Sequence, residues 1–153
     1  MSYVVPCVIT IVLCMILSVT IELIDAIYLV KQTKRNSRVV LDSYVIESAI
    51  DIYDSIKRGN NDQVSLDPEA YISSLSGFCT FEKNGRYLYH KDAKGVEDYW
   101  ISIPQLTCTT ETRLTLRIVY IIYIPLYFCG TQVSTAEVPV TVDSKYIEKF
   151  GEE

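Results

Sequence analysis

At 153 residues the chain has room for one membrane anchor and one domain of roughly 120 residues, an ordinary domain size and enough to bury a core without disulfide staples. Its net charge of −5 and isoelectric point near 4.9 lack the basic footprint of nucleic-acid binding, so no nucleic-acid partner is expected. Its five cysteines include no CxxC pair, which leaves zinc without a ligand pattern; no metal or other cofactor is expected.

From Ser2 to Ile21 no side chain is charged, and Tyr3–Ile21 offers 19 residues for an apolar helix. A bilayer core needs about 20. Apolar character resumes past Glu22 and Asp25 and lasts to Val30, so residues 1–30 are predicted to form one transmembrane helix with room for tilt. No basic residue precedes the run, and it exceeds the apolar core of a signal peptide, so retention is expected. Cys7 and Cys14 fall on one helical face and read as small lipid-facing side chains. Glu22 and Asp25 are expected in the interface at the aqueous end of the helix. Ionisable groups beside a span are costly and often functional. The sharper alternative pairs them with a cation of a neighbouring subunit, Lys31 or Arg35.

Residues 31–38 (KQTKRNSR) form a basic juxtamembrane stretch suited to anionic head groups. Taken alone, such a flank predicts a cytoplasmic body. In residues 39–58, Leu41, Val45, Ala49, Ile52 and Ile56 recur at helical spacing beside Tyr44, Ser48 and Tyr53. Asp42, Glu47, Asp51 and Asp54 take the other side, predicting an amphipathic helix with a solvated acidic face. Lys57, Arg58 and Gly59 are C-terminal signals. Residues 31–58 therefore continue the anchor as one long helix, with a break near Asn36-Ser37 as the alternative. Residues 60–63 read as a loop. Asp67-Pro68-Glu69 opens a short helix expected to run through Tyr71, Ile72 and Leu75 to Gly77.

The period then changes to two. Residues 78–83 and 86–90 are predicted to pair as a hairpin about a type I′ turn at Asn84-Gly85. Asp98–Ile103 is a third strand ended by Pro104, with Trp100 as a core residue. Thr112–Ile124 is the longest strand. One of its faces is apolar throughout (Leu114, Leu116, Ile118, Tyr120, Ile122, Ile124). The other turns apolar at Val119, Ile121 and Tyr123, predicting cover on both sides there. Residues 118–133 carry no charge, but their length, Pro125 and the alternation upstream argue against a second span. Ser134–Asp143 is a final strand whose Pro139 marks an edge or bulge. Residues 146–153 form a charged tail. The fold class is α+β: a long N-terminal helix, transmembrane then amphipathic, packed on a small antiparallel β-sheet domain over residues 59–145.

No phosphate loop, metal spacing or Ser/His/Asp set is present, so no enzymatic activity is expected. His90 reads as a surface residue. Cys79, Cys108 and Cys129 allow one bridge at most, unassignable from spacing. The apolar start running into SRVVLDSYVIESAIDIYDSIKRG, the strand LRIVYIIYIPLYF and the end VPVTVDSKYIEKF resemble the pilin-like plan of type IV filament subunits, in particular the TadE/TadF-like pseudopilins of tight-adherence systems in Gram-positive bacteria. The resemblance implies a helix that waits in the membrane and then packs into a filament. Its implied partners are the lipid bilayer and other pilin-like subunits or assembly-platform proteins, with the β-domain outside the cytoplasm. Such precursors carry a basic leader and an early Glu; here nothing basic precedes Tyr3, and Glu22 comes late. The competing expectation is a single-pass, membrane-tethered binding module of a conjugation- or phage-related system.

Overall fold

A computed structural model describes residues 3–50, 67–109, 115–128 and 130–144. The chain is α+β, a long N-terminal helix packed on an antiparallel sheet, as its periodicities predict. Helix α1 (Val4–Glu47) is a single 44-residue element. Pro6 falls in its first turn, where a missing N–H costs nothing. The break considered at Asn36-Ser37 does not occur. Ser37 is fully buried and its hydroxyl pairs with the Tyr120 hydroxyl at 2.8 Å, so it does not cap a new helix. The helix closes at Ser48, whose N–H donates to Tyr44 O at 2.9 Å. It was expected to run on to Arg58; Lys57, Arg58 and Gly59 lie outside the described residues, as do Ile52 and Ile56.

Helix α2 (Pro68–Cys79) starts as predicted: Asp67 Oδ1 accepts from the Glu69 N–H at 2.9 Å, with Pro68 in the first turn. Its end differs. Gly77 is inside the helix, and Thr80 supplies the left-handed cap at φ 52°. Two more helical residues place Cys79 in the core and leave Phe78 exposed, so neither belongs to the following hairpin.

The sheet comprises β1 (Phe81–Asn84), β2 (Tyr87–Lys91), β3 (Glu97–Ser102), β4 (Gln105–Thr109), β5 (Thr115–Phe128) and β6 (Thr131–Asp143). Asn84 pairs with Tyr87, so the two-residue turn is Gly85-Arg86 rather than Asn84-Gly85. Gly85 has φ +61° and Arg86 a negative φ, the signs of a type II′ turn, which needs glycine first. Strand β5 is the sheet's axis. It pairs with β6 along one edge and with β3, then β4, along the other. Strand β4, absent from the sequence reading, continues the line of β3 after a one-residue slip: Ile101 faces Ile122, and Gln105 faces Val119. Pro104 cannot donate to a ladder, and at this slip the Ile121 N–H donates to Ser102 Oγ at 2.9 Å. Among the described residues strand β6 pairs with β5 alone, so Pro139 sits on an edge strand as predicted.

The core lies between the second half of α1 and one sheet face. Val40, Leu41, Tyr44 and Val45 bury against Leu116, Ile118, Tyr120, Ile122 and Ile124 of β5, with Tyr71 and Leu75 from α2. Each such aliphatic side chain contributes about 1.5–3 kcal/mol when fully buried. Two expectations fail on the far face. Trp100 is not a core residue, because alternation sends its neighbours Tyr99 and Ile101 inward. Val119 is exposed and Ile121 and Tyr123 are only half-buried, because no described element covers that side of β5.

Candidate functional site

The largest functional feature is a length of bare helix. Every residue from 3 to 21 is exposed, and none of the most apolar window of α1 is buried within the fold. Leu13, at 54 % exposure, is typical. Side chains of this size in one continuous surface exceed the apolar patches a water-soluble monomer displays. Among the described residues α1 is the one helix long and apolar enough to cross a membrane, which makes it a candidate single membrane span. Two of its hydroxyls are met within the helix, as a medium without water requires. Thr10 donates to Pro6 O at 2.8 Å and Thr20 to Ile16 O at 2.7 Å, so both are satisfied by their own helix.

Beyond Ile21 the helix gains neighbours. Glu22 is half-buried, and its Oε2 accepts from the backbone N–H of Tyr127 at 3.2 Å. That amide lies at a register shift between Leu126 and Tyr127, where the β5–β6 ladder is irregular. The sequence reading missed this contact; the charge-free run through residues 118–133 was its only trace. Asp25, Lys31 and Arg35 are exposed, and none pairs with a described residue, so the structure gathers none of them around Glu22. Ala26, Leu29 and Val30 pack on the edge of the core.

Further along, two hydroxyl links set the helix on the sheet and a third ties it to α2. Thr33 donates to the Tyr99 hydroxyl at 3.2 Å, Ser37 meets Tyr120, and the Tyr71 hydroxyl donates to Ser37 O at 3.3 Å. Burial is the main cause that raises all three tyrosines above their ordinary pKa, Tyr99 to about 12. Asp42, predicted on a solvated face, is half-buried and accepts from Ser144 Oγ at 2.9 Å. On the outer face Arg117 grips Asp143 through two bonds of 2.7 and 3.1 Å, which hold that carboxyl below the usual carboxylate range. Cys79 and Cys108 are free thiols, both raised by burial; Cys129 lies outside the described residues.

The sheet face that no described element covers carries an aromatic cluster. Tyr89, Trp100 and Tyr123 stack across β2, β3 and β5 with centroids 6.0 and 5.9 Å apart. Tyr87 stands edge-on to Tyr123 at 5.6 Å. Alternation puts all four on one side, which sequence alone could have shown had Trp100 been assigned outward. His90 is likewise not a plain surface residue. It stacks on Tyr99 at 4.7 Å and lies 3.2 Å from Asp98. It borders an open concavity of about 500 Å³ with Thr80, Glu82 and Lys91. The Thr80 hydroxyl there donates to the Cys79 and Lys91 carbonyls, and Lys91 pairs with Glu82, so these groups serve one another. Among the described residues no cluster of His, Cys, Asp or Glu could hold a metal ion. Set against known protein families, curated proteins and solved structures, the chain matches none.

Proposed function

We propose that the chain is a single-pass membrane protein acting as a pilin-like structural or assembly subunit of a secretion or adherence apparatus, with its β-domain outside the cytoplasm. One observation carries the reading: a single unbroken helix is bare over its apolar half and serves as the spine of a β-rich head over the other. Lipid covers the bare half in the membrane, and neighbouring helices cover it in an assembly. Because hydroxyl links hold the docked half in register, a force on the bare half passes to the head without slippage. Native Cys7 and Cys14, both exposed on that half, provide the test. In membranes containing the full chain, oxidation with copper phenanthroline, which couples thiols inside the bilayer, is expected to yield disulfide-linked dimers and higher species. Cys7→Ser with Cys14→Ser should abolish them. A chain that stays monomeric through a cysteine scan of positions 8–20 would overturn the subunit reading. Labelling of Asn84→Cys in intact cells is expected; labelling only after lysis would reverse the orientation.

A second reading, a membrane-tethered binding module, is favoured by the aromatic cluster of Tyr87, Tyr89, Trp100 and Tyr123, which no described element covers. It predicts a monomeric anchor together with a partner-dependent change in Trp100 fluorescence.

A further inference from the structure

Strands β5 and β6 outrun the rest of the sheet. Beyond Tyr123, β5 has no described partner but β6, and the pair continues to Phe128 and Thr131 as a two-stranded ribbon. From Ile118 to Ala136 the ribbon holds 19 residues without one Asp, Glu, Lys or Arg. An isolated ribbon in water is marginally stable and is normally kept soluble by charge. Here the tip carries Tyr127 at 44 % exposure and Val133 at 63 %.

The ribbon's height relative to the span follows from one contact. The Tyr127 amide is bonded to Glu22, the first charged residue after the apolar run. At about 1.5 Å per residue, Tyr3–Ile21 measures about 28 Å, close to a bilayer's hydrocarbon thickness of about 30 Å. Glu22 therefore marks the edge of the hydrocarbon. The nine residues from Glu22 to Val30 rise about 13 Å through the head-group layer before the first basic residue, Lys31. Tyr28, 68 % exposed, lies within this layer, about 9 Å above Glu22. Tyrosines at the boundary and lysines behind it are the order in which membrane proteins place these side chains. The Glu22 carboxylate at this depth is satisfied by a backbone donor.

Resting on the single-span reading, we infer that the β5–β6 hairpin tip is a second membrane contact: Tyr127 and Val133 enter the head-group layer beside the span and set the head at a defined height and rotation. The occupant is lipid and not a second copy of the chain, because the uncharged tip is level with the end of the span. This also accounts for the uncharged stretch that resembles a membrane helix by composition and is a strand pair in fact.

The test uses the full chain in vesicles, with the single tryptophan changed by Trp100→Tyr. Single probes are then added as Val133→Trp at the tip, Leu13→Trp in the span and Val96→Trp on an exposed turn of the head. Quenching is read with phosphatidylcholine brominated near the glycerol end or near the methyl end of its chains. Leu13→Trp is expected to respond to the deep label. Val133→Trp should respond to the shallow label, to at least about half that extent, with blue-shifted emission. Val96→Trp should respond to neither. Adding Glu22→Ala should lower the Val133→Trp response and leave Leu13→Trp unchanged. Quenching at Leu13→Trp with Val133→Trp behaving like Val96→Trp would overturn the hairpin contact alone. A blue shift at Val133→Trp that grows with protein density without lipid quenching would assign the tip to a second copy and also overturn it. No quenching at Leu13→Trp would remove the span itself. Should Trp100→Tyr disturb the fold by circular dichroism, Gln132→Trp against native Trp100, read as added shallow quenching, decides the same point.

Discussion

The two halves of α1 share one backbone and differ in where their hydroxyls point. In the first half Thr10 and Thr20 bond carbonyls one turn back, and none of the most apolar window is buried within the fold. In the second half Thr33 and Ser37 reach across to Tyr99 and Tyr120, and Val40, Leu41, Tyr44 and Val45 beyond them are buried. A hydroxyl with a dry surrounding must find a donor or acceptor nearby. Where its own helix supplies one, the helix is ready for lipid; where a facing sheet supplies one, the helix has a fixed seat. Segments of equal helicity can thus be assigned to different surroundings by the partners of a few small polar side chains.

This contrast is best broken by truncation. Leu41→Ala, in the docked half, is expected to destabilise the head by about 2–5 kcal/mol in urea titrations, whereas Leu13→Ala should leave the titration of the head unchanged. Equal effects would show that the halves are not energetically distinct. Next in size is Ser37→Ala, which strands the buried Tyr120 hydroxyl and should cost about 1–3 kcal/mol, while Thr20→Ala should change head stability little. A cycle with Tyr120→Phe should recover part of the loss, and strict additivity would mean the two hydroxyls do not interact.

Alkaline pH sharpens the same seat. Burial holds protons on Tyr71, Tyr99 and Tyr120 beyond the value of 10.0 expected in the open chain, so the unfolded state releases protons first. Stability should be level below about pH 10 and fall above it, by up to about 1.4 kcal/mol per pH unit for each tyrosine. Tyrosinate absorbance should rise together with unfolding; a rise well before it would place these hydroxyls in water. The smallest effect belongs to Asp143. Its pKa is lowered by Arg117, so its contribution is present above the unfolded carboxylate range and is lost as pH falls through the folded value. Because the pair is exposed, the loss should be slight and should vanish in Arg117→Gln.

Much of this was legible before any coordinates. The charge-free start, the stripe of Leu41 and Val45, the Asp67-Pro68 cap, and the alternation of Leu116, Ile118, Tyr120, Ile122 and Ile124 each express a local rule that depends on a few neighbouring residues. What failed did so where a distant element decided. Ser37 reads equally as a cap or a core hydroxyl until Tyr120 lies opposite. Trp100 faces in or out according to which sheet face α1 covers. Gly85 begins its turn because β1 and β2 pair Asn84 with Tyr87.

The amino-acid order alone determined that a long apolar helix is followed by alternating strands and which stretch is long and apolar enough to cross a membrane, because both depend on side-chain period and charge along the chain. Only the tertiary structure decided that Glu22 meets Tyr127, 105 residues away, and that no described element covers one sheet face. Those outcomes depend on strand register and on which layer the single long helix fills, and such choices are settled by packing between segments that carry no local mark of one another.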